Sequence, residues 1–194
     1  ADIIVGTQLV AKGLTLPALQ LVVVVDGDLG LASGDPRAGE RTFQLLTQVT
    51  GRAGRVTSGG RAMIQTHAPE HPAIAAMARQ DADAFYAEEM VMRRDGWLPP
   101  FVRLAAIIVS GLDRQQAVDH AQLLARTAPD VTDLEVLGPA EAPMAILRGR
   151  YRFRLLIRAP RPLKLQSSLA EWLAAAQVTG TVRRSVDIDP QSFL

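Results

Sequence analysis

Ala18-Leu-Gln-Leu-Val-Val-Val-Val25 is an apolar, β-branched run with no regular polar alternation. That pattern predicts a strand covered on both faces, as in a parallel sheet flanked by helices. The run stops at Asp26-Gly27-Asp28. In open α/β sheets the carboxyl ends of the strands carry the chemistry, so Asp26 stands either at a functional edge or in a simple turn. Upstream, Asp2-Ile-Ile-Val5 predicts another strand, followed by Gly6-Thr7-Gln8, and Thr7 and Lys12 fall at or near the same edge. A natural protein rarely begins on a buried strand with no lead-in. The chain is therefore expected to be the C-terminal part of a longer protein.

Working outward, Asp35-Pro-Arg supplies a helix-starting turn, and Glu40 to Val49 predicts a helix. That helix leads into Gln44-Leu-Leu-Thr-Gln-Val-Thr-Gly-Arg-Ala-Gly-Arg55. Arg52 and Arg55 each follow a glycine, and Gln48 lies four residues before Arg52, on the same face of a helix. Fixed cations and an amide at an element terminus suit an anionic group such as a polyphosphate. The same residues also read as a Gly-capped helix end with basic residues favoured by its dipole. Arg61 to Thr66 predicts the next strand, so residues 1–66 have the order strand, loop, strand, helix, strand.

His67 and His71 flank Glu70, but Pro69 and Pro72 forbid the regular helix that a metal-binding His pair at this spacing requires. A turn and helix start fits better, and no metal site is expected. A long amphipathic helix is predicted from Pro72 to Arg94. Trp97-Leu-Pro-Pro-Phe101 then predicts a rigid connector. Beyond it lie strand 103–109, helix 114–126, strand 134–137, strand 148–158, helix 163–176 and strand 181–188. The order β-α-β-β-α-β is that of the ferredoxin-like split fold.

Within that second unit, Arg148-Gly-Arg-Tyr-Arg-Phe-Arg154 is a basic ladder. On a strand of period two, Arg148, Arg150, Arg152 and Arg154 share one face, about 6.5–7 Å apart. Like charges so placed repel one another unless spread or neutralised, which points to phosphates or an acidic peptide. A solvated edge strand kept positive against aggregation would look the same.

Composition narrows the function classes. The chain has 194 residues, 48% hydrophobic and 21% charged, with net charge +1 and no cysteine. It can bury a core. Thiolate chemistry, disulfides and Cys-type zinc sites are excluded within these residues. There is no secretory leader pattern, and the apolar runs, Leu21–Val25 among them, are far too short to span a bilayer, so a soluble cytoplasmic protein is expected. Lys12 is followed by Gly13 and Lys164 by Leu165, so no Gly-Lys-Ser/Thr phosphate loop exists. Neither is there an adjacent Asp-Glu pair to hold magnesium. These residues can supply only the second side of a nucleotide site.

Taken together, the motifs resemble a known family. Gly6-Thr-Gln-Leu-Val-Ala-Lys-Gly13 resembles helicase motif V, and Gln48-Val-Thr-Gly-Arg-Ala-Gly-Arg55 resembles motif VI of superfamily-two helicases. Asp26 to Leu46, Gln65-Thr-His-Ala-Pro-Glu-His-Pro72, Leu98-Pro-Pro-Phe101, Val136-Leu-Gly-Pro139, Arg148–Arg154 and Asp187-Ile-Asp-Pro190 are similar to the PriA-type replication-restart helicases, also called primosomal protein N prime. The resemblance implies an ATP-dependent 3′–5′ DNA helicase that recognises stalled or branched forks and reloads the replisome by primosome assembly. It implies a partial RecA-like lobe over 1–68, a connecting helix and Pro-rich linker over 69–100, and a C-terminal DNA- and partner-binding domain over 101–194. Arg52 and Arg55 would then be arginine fingers toward ATP, with Gln48 positioning the site. Gly6, Thr7, Gln8, Lys12, Gly13 and Asp26 would couple the nucleotide to DNA. Arg148, Arg150, Arg152 and Arg154 would meet DNA, forked or single-stranded, or the acidic tail of single-strand binding protein.

ATP and Mg2+ would serve only the full-length protein, and Zn2+ a cysteine-rich insertion outside this chain. Alone, the chain is expected to bind DNA without hydrolysing ATP. Leu14-Thr15-Leu16 departs from the histidine- or aspartate-containing triplet that tends to follow Lys-Gly in the family. A nonenzymatic docking module and another superfamily-two translocase are the rival readings.

Overall fold

The computed structural model describes residues 3–7, 19–31, 35–53 and 59–191. It divides into two compact units, residues 1–91 and 92–194.

In the first unit, β1 (Leu21–Val24) pairs in parallel with β2 (Arg61–Ile64), from Leu21↔Arg61 to Val24↔Ile64. Parallel neighbours need a crossover, and the chain between them contains α1 (Ala38–Thr50). Phe43 and Leu46 of α1 pack with Ala73, Ile74, Ala76 and Met77 of α2 (Pro72–Arg79) and with Phe85 of α3 (Ala82–Asp95). Phe43 stacks on Phe85 at 4.2 Å between centroids, a geometry that adds to the area buried.

Three expectations for this unit are corrected. Residues 3–7 belong to no strand, and Ile3 and Val5 are 84% and 92% exposed. Within the run predicted as a strand covered on both faces, the described strand Leu21–Val24 is covered on one face only, since Val22 and Val24 are half-buried whereas Leu21 and Val23 are exposed. A continuous apolar run carries no period from which to tell one-sided from two-sided burial. The single helix predicted from Pro72 to Arg94 is two helices. Gln80 takes the left-handed conformation (φ 55°, ψ 36°), with its own N–H and that of Asp81 bonded back to the last turn of α2. Asp81 then restarts the helix by accepting from Ala84 N at 2.9 Å.

In the second unit, β3 (Val102–Gly111), α4 (Arg114–Arg126), β4 (Glu135–Leu147), β5 (Arg150–Pro160), α5 (Leu165–Ala175) and β6 (Arg183–Ile188) follow the expected β-α-β-β-α-β order. The sheet runs β4-β5-β3-β6 with every neighbour antiparallel. Phe153, Leu155, Ile157 and Ala159 alternate with β5's polar positions and meet Ala105, Ile107 and Val109 of β3 under both helices. Asp113 opens α4 by accepting from Gln116 N at 2.8 Å, which satisfies a donor the helix cannot. The opposite face of the sheet has a smaller cluster of Val102, Leu104 and Ala106 with Leu156 and Trp97.

Here β4 is much longer than the predicted 134–137. Pro139 and Pro143 obscure it in the sequence, and β4 accepts them because it is the edge strand, with register shifts after Leu137 and Glu141. Gly138 is required at the first shift: its φ is 102°, and a Cβ there would lie 2.8 Å from the Arg154 carbonyl. The predicted strand 148–158 begins at Arg150. Leu147 pairs with Arg150, and Arg148 (φ 51°) and Gly149 (φ 72°) form the two-residue turn between them, with the double positive φ of a type I′ hairpin. The stretch 69–100, expected as a connector, is divided, since α2 and Phe85 join the first core and Trp97 the second.

Candidate functional site

Asp35 starts α1 by accepting from Arg37 N at 2.8 Å and pairing with Arg41 at 2.6 Å. At the other end, Gly51 N bonds to Thr47 O, Arg52 N to Val49 O and Ala53 N to Thr50 O. The last two are the shorter i→i−3 type that tightens a helix end. The helix therefore stops at Thr50 and Arg52 stands in the turn beyond it, so the helical same-face relation drawn between Gln48 and Arg52 is corrected. Gln48 is exposed on the last turn of α1, and Arg52 is half-buried. Arg55 lies outside the described residues.

Of the residues expected to couple nucleotide and DNA, Gly6 and Thr7 are exposed, and Gln8, Lys12 and Gly13 lie outside the described residues. Asp26 follows the end of β1 and accepts from Asp28 N at 3.0 Å, which is a local Asx turn. Reading the sequence missed Asp28. Its carboxylate accepts from the Thr66 hydroxyl and from His67 N, the latter at 2.6 Å, and these two bonds, the hydroxyl first, hold its pKa below the usual carboxylate value. The tie joins the segments that follow β1 and β2. Gly27 sits inside it, where a Cβ would come within 2.7 Å of Ile64. Nothing in Asp-Gly-Asp distinguishes this tie from an ordinary turn until β2 is placed alongside. His71 caps α2, with Nδ1 accepting from Ala73 N at 3.2 Å and Pro72 at the first helical position.

The second unit rearranges the basic ladder. Arg148 is in the turn, so its place on the shared strand face is corrected. Arg150, Arg152 and Arg154 do share a face with Leu156 and Arg158, opposite the helix-covered residues. Arg150 donates to the carbonyls of Ser110 and Thr181, clasping β5, β3 and the loop before β6. Arg152 donates to Met144 O at 3.3 Å. Each guanidinium has five donors, so these bonds leave capacity for an anion.

Four further arginines hold the strap Gly96–Phe101. Arg158 donates to Gly96 O at 2.8 Å and lies over Trp97, Arg93 donates to Pro99 O, Arg161 donates to Pro100 O at 2.7 Å, and Arg94 lies over Phe101. Arg158 also pairs with Glu135 at 2.9 Å. The connector expected from its prolines is in this way a fixed cover on one end of the sheet. On the helix side, Arg184 donates to Leu173 O and Ala176 O, both at 2.8 Å, and so serves carbonyls at the end of α5.

His120 of α4 is buried, and burial first, then the Arg184 charge, pushes its pKa below 6.5. A neutral imidazole is thus part of the folded state, and the unfolded chain binds more protons below that value. The stability it sustains is complete above pH 6.5 and declines as pH falls toward the lowered folded value. The thermal midpoint of wild type is expected to drop between pH 7 and 5 more steeply than that of His120→Leu. Parallel profiles would sink this assignment.

The family model for the primosomal protein N C-terminal domain matches residues 94–191. Three proteins named replication restart protein PriA illustrate the relatives. That of Rickettsia conorii is 41% identical over 99% of this chain and 30% of its own length. The Treponema pallidum protein is 38% identical over 100% of this chain and 30% of its own. For Bacillus subtilis the identity is 39%, over 89% of this chain and 22% of the relative. The chain spans less than a third of the length of these curated relatives. Among the described residues no helix is long and apolar enough to cross a membrane. The match over 94–191, with whole-chain similarity to these relatives, assigns the chain to the primosomal protein N family.

Proposed function

We propose that the full-length protein is a cytoplasmic, ATP-dependent 3′–5′ DNA helicase that acts at stalled or branched forks in replication restart and primosome assembly. Residues 1–68 are read as part of its second RecA-like lobe, and residues 101–194 as a ferredoxin-like split domain that binds DNA and partners, including the acidic tail of single-strand binding protein. The observation that carries this reading is the family match at 94–191 joined to Gly-Arg-Ala-Gly-Arg directly after a crossover helix of a parallel strand pair. The name of the relatives supports a role in restart.

On this reading Arg52 and Arg55 reach across a cleft toward ATP and offset charge on the transferred phosphoryl group, with Gln48 beside them. Among the described residues no three His, Cys, Asp or Glu side chains gather to hold a metal ion, and the sequence has no cysteine. On this reading magnesium and zinc are held by parts of the full-length protein outside this chain.

The isolated chain tests the reading. It is expected to bind forked DNA in a salt-dependent manner and to hydrolyse no ATP above buffer. Failure to bind any DNA at low salt would overturn the nucleic-acid assignment, and appreciable turnover would overturn the division of the nucleotide site.

A further inference from the structure

The helix-free face of the second unit's sheet has two unequal ends. One end is covered by the strap, through Trp97 on Val102, Leu104, Ala106 and Leu156. The other is defined by register. Arg152 stands opposite Ser110, and Ser110 opposite Arg183 on β6. The next row on this face, one step toward the strap, is Ala140, Arg154, Ile108 and Ser185. Residues facing each other on adjacent strands share a side of the sheet, so these rows form one surface. Arg152 and Arg183 are two strands apart, about 10 Å, and Arg152 and Arg154 are about 7 Å apart along β5.

Arg183 is exposed, and among the described residues no hydrogen bond or ion pair engages its side chain. Asp187, one row beyond Ser185, is the acid closest in register on β6. The surface thus offers three guanidiniums and two hydroxyls. It offers no ring: Tyr151 and Phe153 point to the helix side, and Trp97 belongs to the covered end.

Single-stranded nucleic acid is held largely by stacking of bases on aromatic side chains, at about 1–3 kcal/mol per base. This surface cannot supply that. Arginines and hydroxyls are the groups that contact phosphate and sugar without reading sequence. Charge complementarity therefore selects a polyphosphate backbone, and the missing rings select a duplex over a single strand.

We propose that Arg152, Arg154 and Arg183, with Ser110 and Ser185, form a surface that grips the phosphate backbone of duplex DNA without reading its bases. The proposal rests on the DNA-binding part of the proposed function and adds β6 to a site that the β5 ladder alone suggested. Arg148, in the turn, and Arg150, which clasps the strands, are left out of it.

The test is fluorescence anisotropy with the whole 194-residue chain and two probes of equal phosphate count, a mixed-sequence blunt duplex and oligo-dT. The duplex is expected to bind more tightly than oligo-dT and equally for scrambled sequences. Arg183→Ala is expected to weaken duplex binding and to lower the slope of log K against log salt by about 0.9 for each phosphate it no longer neutralises. Arg183→Lys, which keeps the charge, restores the slope. Unchanged affinity and slope in Arg183→Ala, with binding intact, would move the phosphates to another surface while leaving DNA binding standing. Tighter binding of oligo-dT would overturn the duplex choice. Absence of binding to both probes would defeat the DNA-binding reading itself.

Discussion

In the full-length protein, Arg55→Ala lowers DNA-stimulated ATP turnover by on the order of 10³–10⁵ and leaves DNA affinity within about twofold. The expectation follows from what the chain lacks as much as from what it has. The sequence has no Gly-Lys-Ser/Thr loop to cradle a phosphate, so on the proposed reading the arginines that follow α1 in the sequence would act on a nucleotide held elsewhere. An interaction that matters only as charge moves onto the transferred group affects turnover rather than ground-state binding. Arg52, whose backbone is held by the tightened turn after Thr50, would on the same reading act from the same stretch. A loss of DNA affinity matching the loss of turnover would argue that the stretch holds DNA instead.

Ile107→Ala costs about 2–5 kcal/mol in the second unit. Ile107 is fully buried in the second of the sheet's four strands from β6, between Leu155 on β5 and Val186 on β6. Removing its branched side chain leaves a cavity between sheet and helices that the paired strands cannot close. Both tryptophans, Trp97 and Trp172, belong to this unit, so tryptophan fluorescence during urea unfolding reports it selectively. The midpoint is expected to fall with little change in slope. A shift worth less than about 1 kcal/mol would mean that the sheet is not packed around this residue as described.

What the sequence disclosed depended on whether the deciding interaction was local. Helix α1 was legible because Asp35, its apolar spacing and Gly51 all lie within it or beside it, and His71 before Pro72 announced α2. The β-α-β-β-α-β order followed from alternating strand and helix patterns. By contrast, β4 was hidden by Pro139 and Pro143, which only an edge position permits. Arg148 joined the ladder by simple alternation, whereas the turn claimed it because Leu147 pairs with Arg150. Asp28 and Arg150 make their bonds with residues 38 and 31–40 positions away, and no periodicity encodes such ties. The candidate site divides the same way: the motif stretch after α1 stands out by itself, while Arg183 joins the basic surface only through the order β5-β3-β6.

The central claim is that this chain supplies the arginine side of an ATP site completed by the rest of the protein. ATP turnover of full-length wild type and Arg55→Ala, measured side by side at saturating forked DNA, tests it most directly. The account predicts DNA-stimulated turnover for wild type and its loss by at least about a thousandfold in the variant. Turnover in Arg55→Ala equal to that of wild type would contradict it.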